Sequence, residues 1–190
     1  MSAFPMLTPR LRTALFDLDG TLVDSDAALL APFRTLGVTP DRVPPLGLPL
    51  GEACVRAGVK IDDYLDLYDS TVVEAFPGVD AMLRQLDRWA VCSNKARVSG
   101  LAELARLRWS PVLAMFSDDF GGRPKSLGPM LAALGVEPVD VVFVGDTAHD
   151  RECARAAGVV FALAGWNSRA TSEPGDLVLD APGDALALLG

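Results

Sequence analysis

Short apolar runs closed by turn residues recur along the chain: TALFDL (13–18), WAVCS (89–93), PVLAMFS (111–117), VVFVG (141–145), VVFALA (159–164) and LVLD (177–180). Runs that are apolar throughout, and only four to seven residues long, predict strands buried on both faces, as in a parallel sheet. Stretches of helical period lie between them: Val79 to Arg88, Ala96 to Arg108, Leu127 to Gly135 and Ala148 to Ala157. Strand alternating with helix predicts an α/β fold with a Rossmann-like open parallel sheet. Such sheets bind ligands outside the carboxyl ends of their strands. The loops that begin at Asp17, Ser93, Ser117 and Gly145 are therefore where chemistry is expected.

From about Val23 to Phe76 the rhythm changes. Helix-like pieces (Ala27–Leu36, Glu52–Ala57 and Ile61–Ala75) occur with no convincing strand, and the Pro-rich stretch TPDRVPPLGLPLG (39–51) divides them. Pro32 argues against one continuous helix in the first piece. The pattern predicts an α/β core made of residues 1–22 and 78–190, with residues 23–77 inserted as a small helical domain.

A chain of 190 residues, half of them hydrophobic, buries one sizeable core and leaves room for an insert of this size. Its net charge of -8, with 19 Asp and 6 Glu, disfavours nucleic acid and anionic membrane surfaces as partners. No apolar window reaches the roughly 18 residues of a membrane span, and the opening MSAFPMLTPRLR does not read as a leader, so a cytoplasmic protein is expected. Cys54, Cys92 and Cys153 are odd in number and show no C-x-x-C spacing, which gives no support to disulfides or a cysteine zinc site. A single histidine, His149, excludes two-histidine metal sites and reads as a surface helix residue.

The first run ends in Asp17-Leu18-Asp19-Gly20-Thr21, so two carboxylates leave a buried strand together. The simpler reading is a turn rich in ordinary turn formers. Further on, VVFV runs into Gly145-Asp146, with Asp150 following in the first turn of the next helix. G-D-x-x-x-D is weak alone, because acidic residues stabilise helix N-termini anyway. Acidic residues at two strand ends are nevertheless what Mg²⁺ requires, since it takes one or two carboxylates and completes its octahedron with water and substrate phosphate. Cys92-Ser93-Asn94 ends the second core strand and is expected to open a helix, where a hydroxyl, an amide and free N–H groups suit an anion. Plain N-capping by Ser93 or Asn94 is the alternative. Lys125 stands in the loop before another helix, in a chain with three lysines and fourteen arginines, although solvated surface is the ordinary place for a lysine.

In this order the four loops resemble the four motifs of the haloacid-dehalogenase superfamily of aspartate-nucleophile phosphatases, over nearly the whole chain. FDLDGTLVDSD (16–26), FPGVDAMLRQL (76–86), CSNKA (92–96) and VGDTAHDRECARAAGV (144–159) are similar to the branch that contains phosphoglycolate phosphatases and β-phosphoglucomutases. Leu46 to Leu50 resembles the cap loop that this branch holds over its active site. The chain departs from the pattern where Lys125 is followed by Ser126 rather than Pro, and where the cap is short between Tyr68 and Phe76. Asp19 is present where true dehalogenases lack the second aspartate, which implies a phosphatase.

The resemblance implies that Asp17 attacks phosphorus to form an aspartyl-phosphate and that Asp19 acts as general acid and base. It implies Mg²⁺ held by Asp17, the carbonyl of Asp19 and Asp146, with Asp150 in support. Lys125 would balance charge, and Ser93, Asn94, Gly20 and Thr21 would bind the phosphate. The expected partner is a small phosphorylated metabolite, phosphoglycolate first and sugar phosphates second, and the expected state is a monomer with a dimer as the alternative. Arg34, Arg42, Arg56 and Lys60 are the only cations of the insert; one of them facing the crevice would read a second anionic group, although for any single one of them solvent is the ordinary place. Competing readings are a phosphosugar mutase on the same core, a phosphonate hydrolase using Lys60, and a non-catalytic phosphometabolite binder.

Overall fold

A computed structural model describes residues 11–189, so residues 1–10 and 190, assigned above to the core, lie outside the described residues. Six strands form one sheet: β1 (Thr13–Phe16), β4 (Trp89–Cys92), β5 (Leu113–Met115), β6 (Val141–Gly145), β7 (Val160–Ala164) and β8 (Leu177–Leu179). Their order is β5-β4-β1-β6-β7-β8 and every pairing is parallel. The chain builds outward from β1 to β4 and β5, then crosses to β6 on the other side of β1. That reversal leaves a crevice at the carboxyl end of β1, the place where open α/β sheets bind ligands.

The all-apolar strands are explained by helices on both faces. Ala14, Phe16, Val91, Val142 and Val144 point into one core with Val79, Met82 and Leu104. Leu15, Ala90, Cys92 and Phe143 point into the other with Leu127, Met130 and Cys153. The covering helices are α4 (Val79–Leu83), α5 (Arg97–Arg106), α6 (Leu127–Leu134) and α7 (Ala148–Ala157). α4 is much shorter than its apolar pattern suggests, giving way to turns after Leu83.

The inserted segment contains α1 (Asp26–Thr35), α2 (Leu50–Ala57) and α3 (Ile61–Leu67). Phe33, Ala53, Cys54, Ala57 and Tyr64 give these helices a small apolar cluster of their own. Three expectations need correction here. α1 runs unbroken through Pro32, which is buried. Two strands do occur, β2 (Val23–Asp24) and β3 (Glu74–Ala75), pairing antiparallel as a stem at the two ends of the insert; at two residues each they carry no detectable alternation. The third helix stops at Leu67 because Tyr68 turns to an extended conformation and Asp69 accepts from the Thr71 N–H at 2.8 Å. No helix among the described residues is long and apolar enough to cross a membrane.

Candidate active site

β1 delivers Asp17 to the centre of the crevice, its N–H donating to Val144 O at 2.9 Å and so extending the sheet by one residue. The chain then folds tightly: Gly20 N–H donates to Val23 O at 2.9 Å, and Gly20 adopts φ +77°. This glycine is required on two counts. The left-handed conformation disfavours a side chain, and a Cβ there would stand 2.3 Å from Asp146 Oδ2. β6 delivers Asp146 against that turn, where Thr21 Oγ1 donates to Oδ1 at 3.4 Å.

Asp150 is the third acid. It closes a capping box at the start of α7, with the Thr147 N–H and hydroxyl donating to Oδ2 at 3.0 and 2.6 Å. Oxygens of Asp17, Asp146 and Asp150 all lie within 4.8 Å of one another, and all three residues are buried. Lys125 Nζ stands 2.7 Å from Asp17 Oδ1 and 2.6 Å from Asp150 Oδ1.

The electrostatic consequences follow. Burial, resisted by Lys125, raises Asp17 from 3.8 to about 7. Burial and the neighbouring Asp17 and Asp150 charges raise Asp146 to about 8. Burial also opposes the Asp150 carboxylate, yet Lys125 and Thr147 outweigh it and hold that group below its ordinary value. The Lys125 ammonium, disfavoured by burial, is held above its ordinary value by Asp150 and Asp17. One ammonium among three carboxylates leaves the cluster short of positive charge. Hard oxygen donors, closely set and deficient in positive charge, fit a small divalent cation.

Ser93 and Asn94 also reach the crevice, but differently from expectation. α5 begins at Arg97, so neither residue caps it. Asn94 instead cross-links loops: its Oδ1 accepts from the Lys125 N–H at 2.7 Å and its Nδ2 donates to Gly47 O at 2.8 Å. Ser93 Oγ accepts from the Lys95 N–H at 3.3 Å. The loop resembling a cap loop does lie over the crevice, since Leu46, Gly47, Leu48 and Leu50 line it together with Asp17, Asp19, Ser93, Asn94, Lys125 and Asp146.

Several site residues escaped sequence reasoning. Lys95, as scarce a residue type as Lys125 and two positions past Ser93, is buried with Nζ 2.7 Å from Asp19 Oδ1 and 3.0 Å from Glu103 Oε1. Tyr68 accepts from Lys95 Nζ at 2.7 Å and donates to Glu103. Ser25 Oγ donates to Asp19 Oδ1 at 2.6 Å, so that oxygen takes two partners and Oδ2 is left for the crevice. Burial and the Asp19 charge raise Glu103 to about 7. Asn167 Nδ2 donates to Asp146 Oδ2 at 3.0 Å and to Gly20 O at 2.9 Å, bracing the tight turn. No motif pointed to Glu103 or Asn167; distant contacts alone define them.

None of Arg34, Arg42, Arg56 and Lys60 lines the crevice, so the solvent-facing alternative holds for all four. All four are exposed, Arg42 Nη2 donating to Ala57 O at 3.3 Å and Arg56 pairing with Glu52 at 2.6 Å, because α1 and α2 turn their apolar faces inward. His149 is half-buried rather than a surface residue, and burial holds its imidazole below the ordinary value.

Residues 14–164 match the model of the haloacid dehalogenase-like hydrolase family. The chain is 31% identical to a phosphoglycolate phosphatase of Xylella fastidiosa over 90% of its own length and 85% of that protein. It is 30% identical to a phosphoglycolate phosphatase of Aquifex aeolicus, covering 94% of the chain and 97% of that protein. The fold matches a subfamily IA hydrolase structure from Geobacter sulfurreducens with a TM-score of 0.69 and 22% identity, over 96% of this chain and 98% of that one. With the family model spanning the sheet from β1 through β7, the chain belongs to the haloacid dehalogenase-like hydrolases.

Proposed function

We propose that the protein is a Mg²⁺-dependent phosphatase that hydrolyses a small phosphomonoester through an aspartyl-phosphate on Asp17. The observation that carries this reading is the buried cluster of Asp17, Asp146 and Asp150 around Lys125 at the reversal point of the sheet. The relatives' names support phosphate chemistry. Residues 23–77 are proposed to form the cap domain over that site, carried on the β2–β3 stem.

Asp17, Asp146 and the main-chain carbonyl of Asp19 would hold the ion. Asp150 supports from behind, because Thr147 and Lys125 already engage its two oxygens. When bound, Mg²⁺ supplies positive charge to the phosphoryl oxygens and lowers the repulsion between phosphate and nucleophile. A carboxylate and a phosphate dianion about 4 Å apart repel by roughly 8 kcal/mol at an effective dielectric of 20, so this charge is essential.

Asp17 attacks phosphorus, the P–O bond to the alcohol breaks, and Asp19 Oδ2 gives the leaving oxygen its proton. Water then attacks the same phosphorus, Asp19 takes the water's proton, and Asp17 departs as a carboxylate with inorganic phosphate released. Lys95 and Ser25 fix Asp19 through Oδ1, which aims Oδ2 at the crevice. Lys125 and the loop at Ser93-Asn94 offset charge on the phosphoryl group.

The test is phosphate release from an aryl phosphate and from phosphoglycolate with and without Mg²⁺, followed by acid quench and mass mapping. A phosphoryl adduct on the peptide bearing Asp17 is expected. Phosphate release with the adduct on another residue, or no release with Mg²⁺ present, would overturn the proposal.

A further inference from the structure

The cleft encloses a cavity of about 70 Å³, and its two walls differ in character. The sheet side is charged, as described above. The wall supplied by the inserted helices and loop is apolar: Leu29, Phe33, Leu46, Leu48, Leu50 and Tyr64 face the cavity. Phe33, Tyr64 and Tyr68 form a run of packed rings, with centroids 4.8 and 6.1 Å apart in succession.

The polar groups of this wall are already engaged. Tyr64 hydroxyl donates to Leu29 O at 2.9 Å, and Tyr68 hydroxyl lies between Lys95 and Glu103. Asp26, the one acid there, is paired with Arg169. Of the cations on the cleft, Lys95 is matched by Asp19 and Glu103, Lys125 by Asp17 and Asp150, and Arg169 by Asp26. A carboxylate on the leaving group would find no unmatched cation among the described residues that line the cleft. Sugar hydroxyls would lose water on this wall without side-chain partners, which costs about 1–3 kcal/mol for each buried group left unsatisfied.

Resting on the phosphatase reading above, we propose that the cap wall selects phosphomonoesters of uncharged, apolar alcohols, alkyl or aryl, over phosphoglycolate and sugar phosphates. The phosphate sits on the charged sheet side and the leaving group occupies the apolar wall.

The test is kcat/KM with Mg²⁺ for methyl, ethyl, propyl and butyl phosphate, whose leaving oxygens have similar basicity, against phosphoglycolate and glucose 6-phosphate. Burial of each added methylene against the cap wall should raise kcat/KM about fourfold, the equivalent of ~0.8 kcal/mol. Butyl phosphate should exceed phosphoglycolate at least tenfold, even though glycolate is the better leaving group. Leu46→Arg, in the loop over the cleft, should raise the ratio of phosphoglycolate to butyl phosphate tenfold or more. Arg169→Gln should leave butyl phosphate ahead. A flat alkyl series, or phosphoglycolate ahead in the unmodified protein with that lead lost in Arg169→Gln, would overturn the inference alone. Phosphate release from none of the compounds would overturn the phosphatase reading and this inference with it.

Discussion

Replacing Lys125 with Met removes the ammonium that stands between two buried acids. At 2.7 Å from Asp17 and 2.6 Å from Asp150, each attraction is about 6 kcal/mol at an effective dielectric of 20, opposed by several kcal/mol of lysine desolvation. Breaking a buried ion pair by removing one partner typically costs about 3–5 kcal/mol, and that loss is expected at pH 8 in chelator. The sign of the pH dependence is diagnostic. With Lys125 present, Asp150 is held below its ordinary value, so its contribution to stability is present above the unfolded value and disappears as pH falls through the folded one. Without Lys125, burial dominates and both acids bind protons more tightly folded than unfolded. Their carboxylates then destabilise the fold increasingly as pH rises above about 4. The deficit of Lys125→Met should therefore be smaller at pH 5 than at pH 8. Urea unfolding of both proteins at the two pH values measures it, and kcat should fall about 10²–10³-fold in parallel. A deficit under about 1 kcal/mol at pH 8, or one that fails to shrink on acidification, would refute this account of the cluster.

Asp17→Asn should retain less than about one percent of kcat, a loss above roughly 3 kcal/mol, and should unfold no more readily than the parent in chelator because a raised carboxyl has been neutralised. Asp19→Asn should impair alkyl phosphates more than aryl phosphates, whose leaving groups need less protonation; equal losses would remove Asp19 from the general-acid role. Chelation should abolish turnover and Mg²⁺ restore it, while Ca²⁺, with its larger coordination number, should not. In chelator, stability should fall as pH climbs from about 4 to about 8, because Asp17 and Asp146 are raised in the fold, and added Mg²⁺ should flatten that slope. Gly20→Ala should weaken Mg²⁺ binding measured by calorimetry, since its Cβ would meet Asp146 at 2.3 Å and the residue would keep φ +77°; an unchanged affinity would show that the turn does not set the Asp146 position.

The sheet was legible because burial on both faces leaves an unbroken apolar run, and β6 and α7 match their expected limits to the residue. Asp17 and Asp146 were conspicuous for the related reason that charge follows such a run at a strand end, and Asp150 by its place in the first turn of the helix that follows. Lys95, Glu103 and Tyr68 were not legible. Their roles arise from pairings across 76 and 35 residues of sequence, in a loop and on a helix where Lys and Glu ordinarily mean solvated surface. Asn94 shows the converse: its type suggested a helix cap, while α5 starts beyond it and its amide joins two loops. The stem strands were lost to brevity alone, and α3 to a tyrosine drawn out of the helix toward Glu103.

On the proposed reading, the distribution of charge would place metal and phosphate on the sheet side of the cleft and the leaving group on the cap wall. Asp17, Asp19, Asp146, Asp150 and Glu103 face two ammonium groups, Lys95 and Lys125, in the same buried region. The two lysines do different work. Lys95 is enclosed by Asp19, Glu103 and Tyr68, with its side chain 3% exposed, so it fixes Asp19 and has no charge to spare. Lys125 pairs directly with Asp17 and Asp150 but not with Asp146, whose carboxyl is raised by burial first and by the Asp17 and Asp150 charges next, with Lys125 and Arg169 offsetting only part of that rise. A phosphate dianion entering such a cluster before a cation would be repelled. On the proposed mechanism the divalent ion would serve substrate binding as well as catalysis, so phosphate and Mg²⁺ should each tighten the other's binding by the same factor. Asp26 and Arg169 are matched at the mouth of the cleft, so the cap wall adds no net charge to this balance. Under the proposed selectivity, discrimination there would fall to apolar contact, a term independent of the metal, which would let the leaving group change without disturbing the phosphate chemistry beneath it.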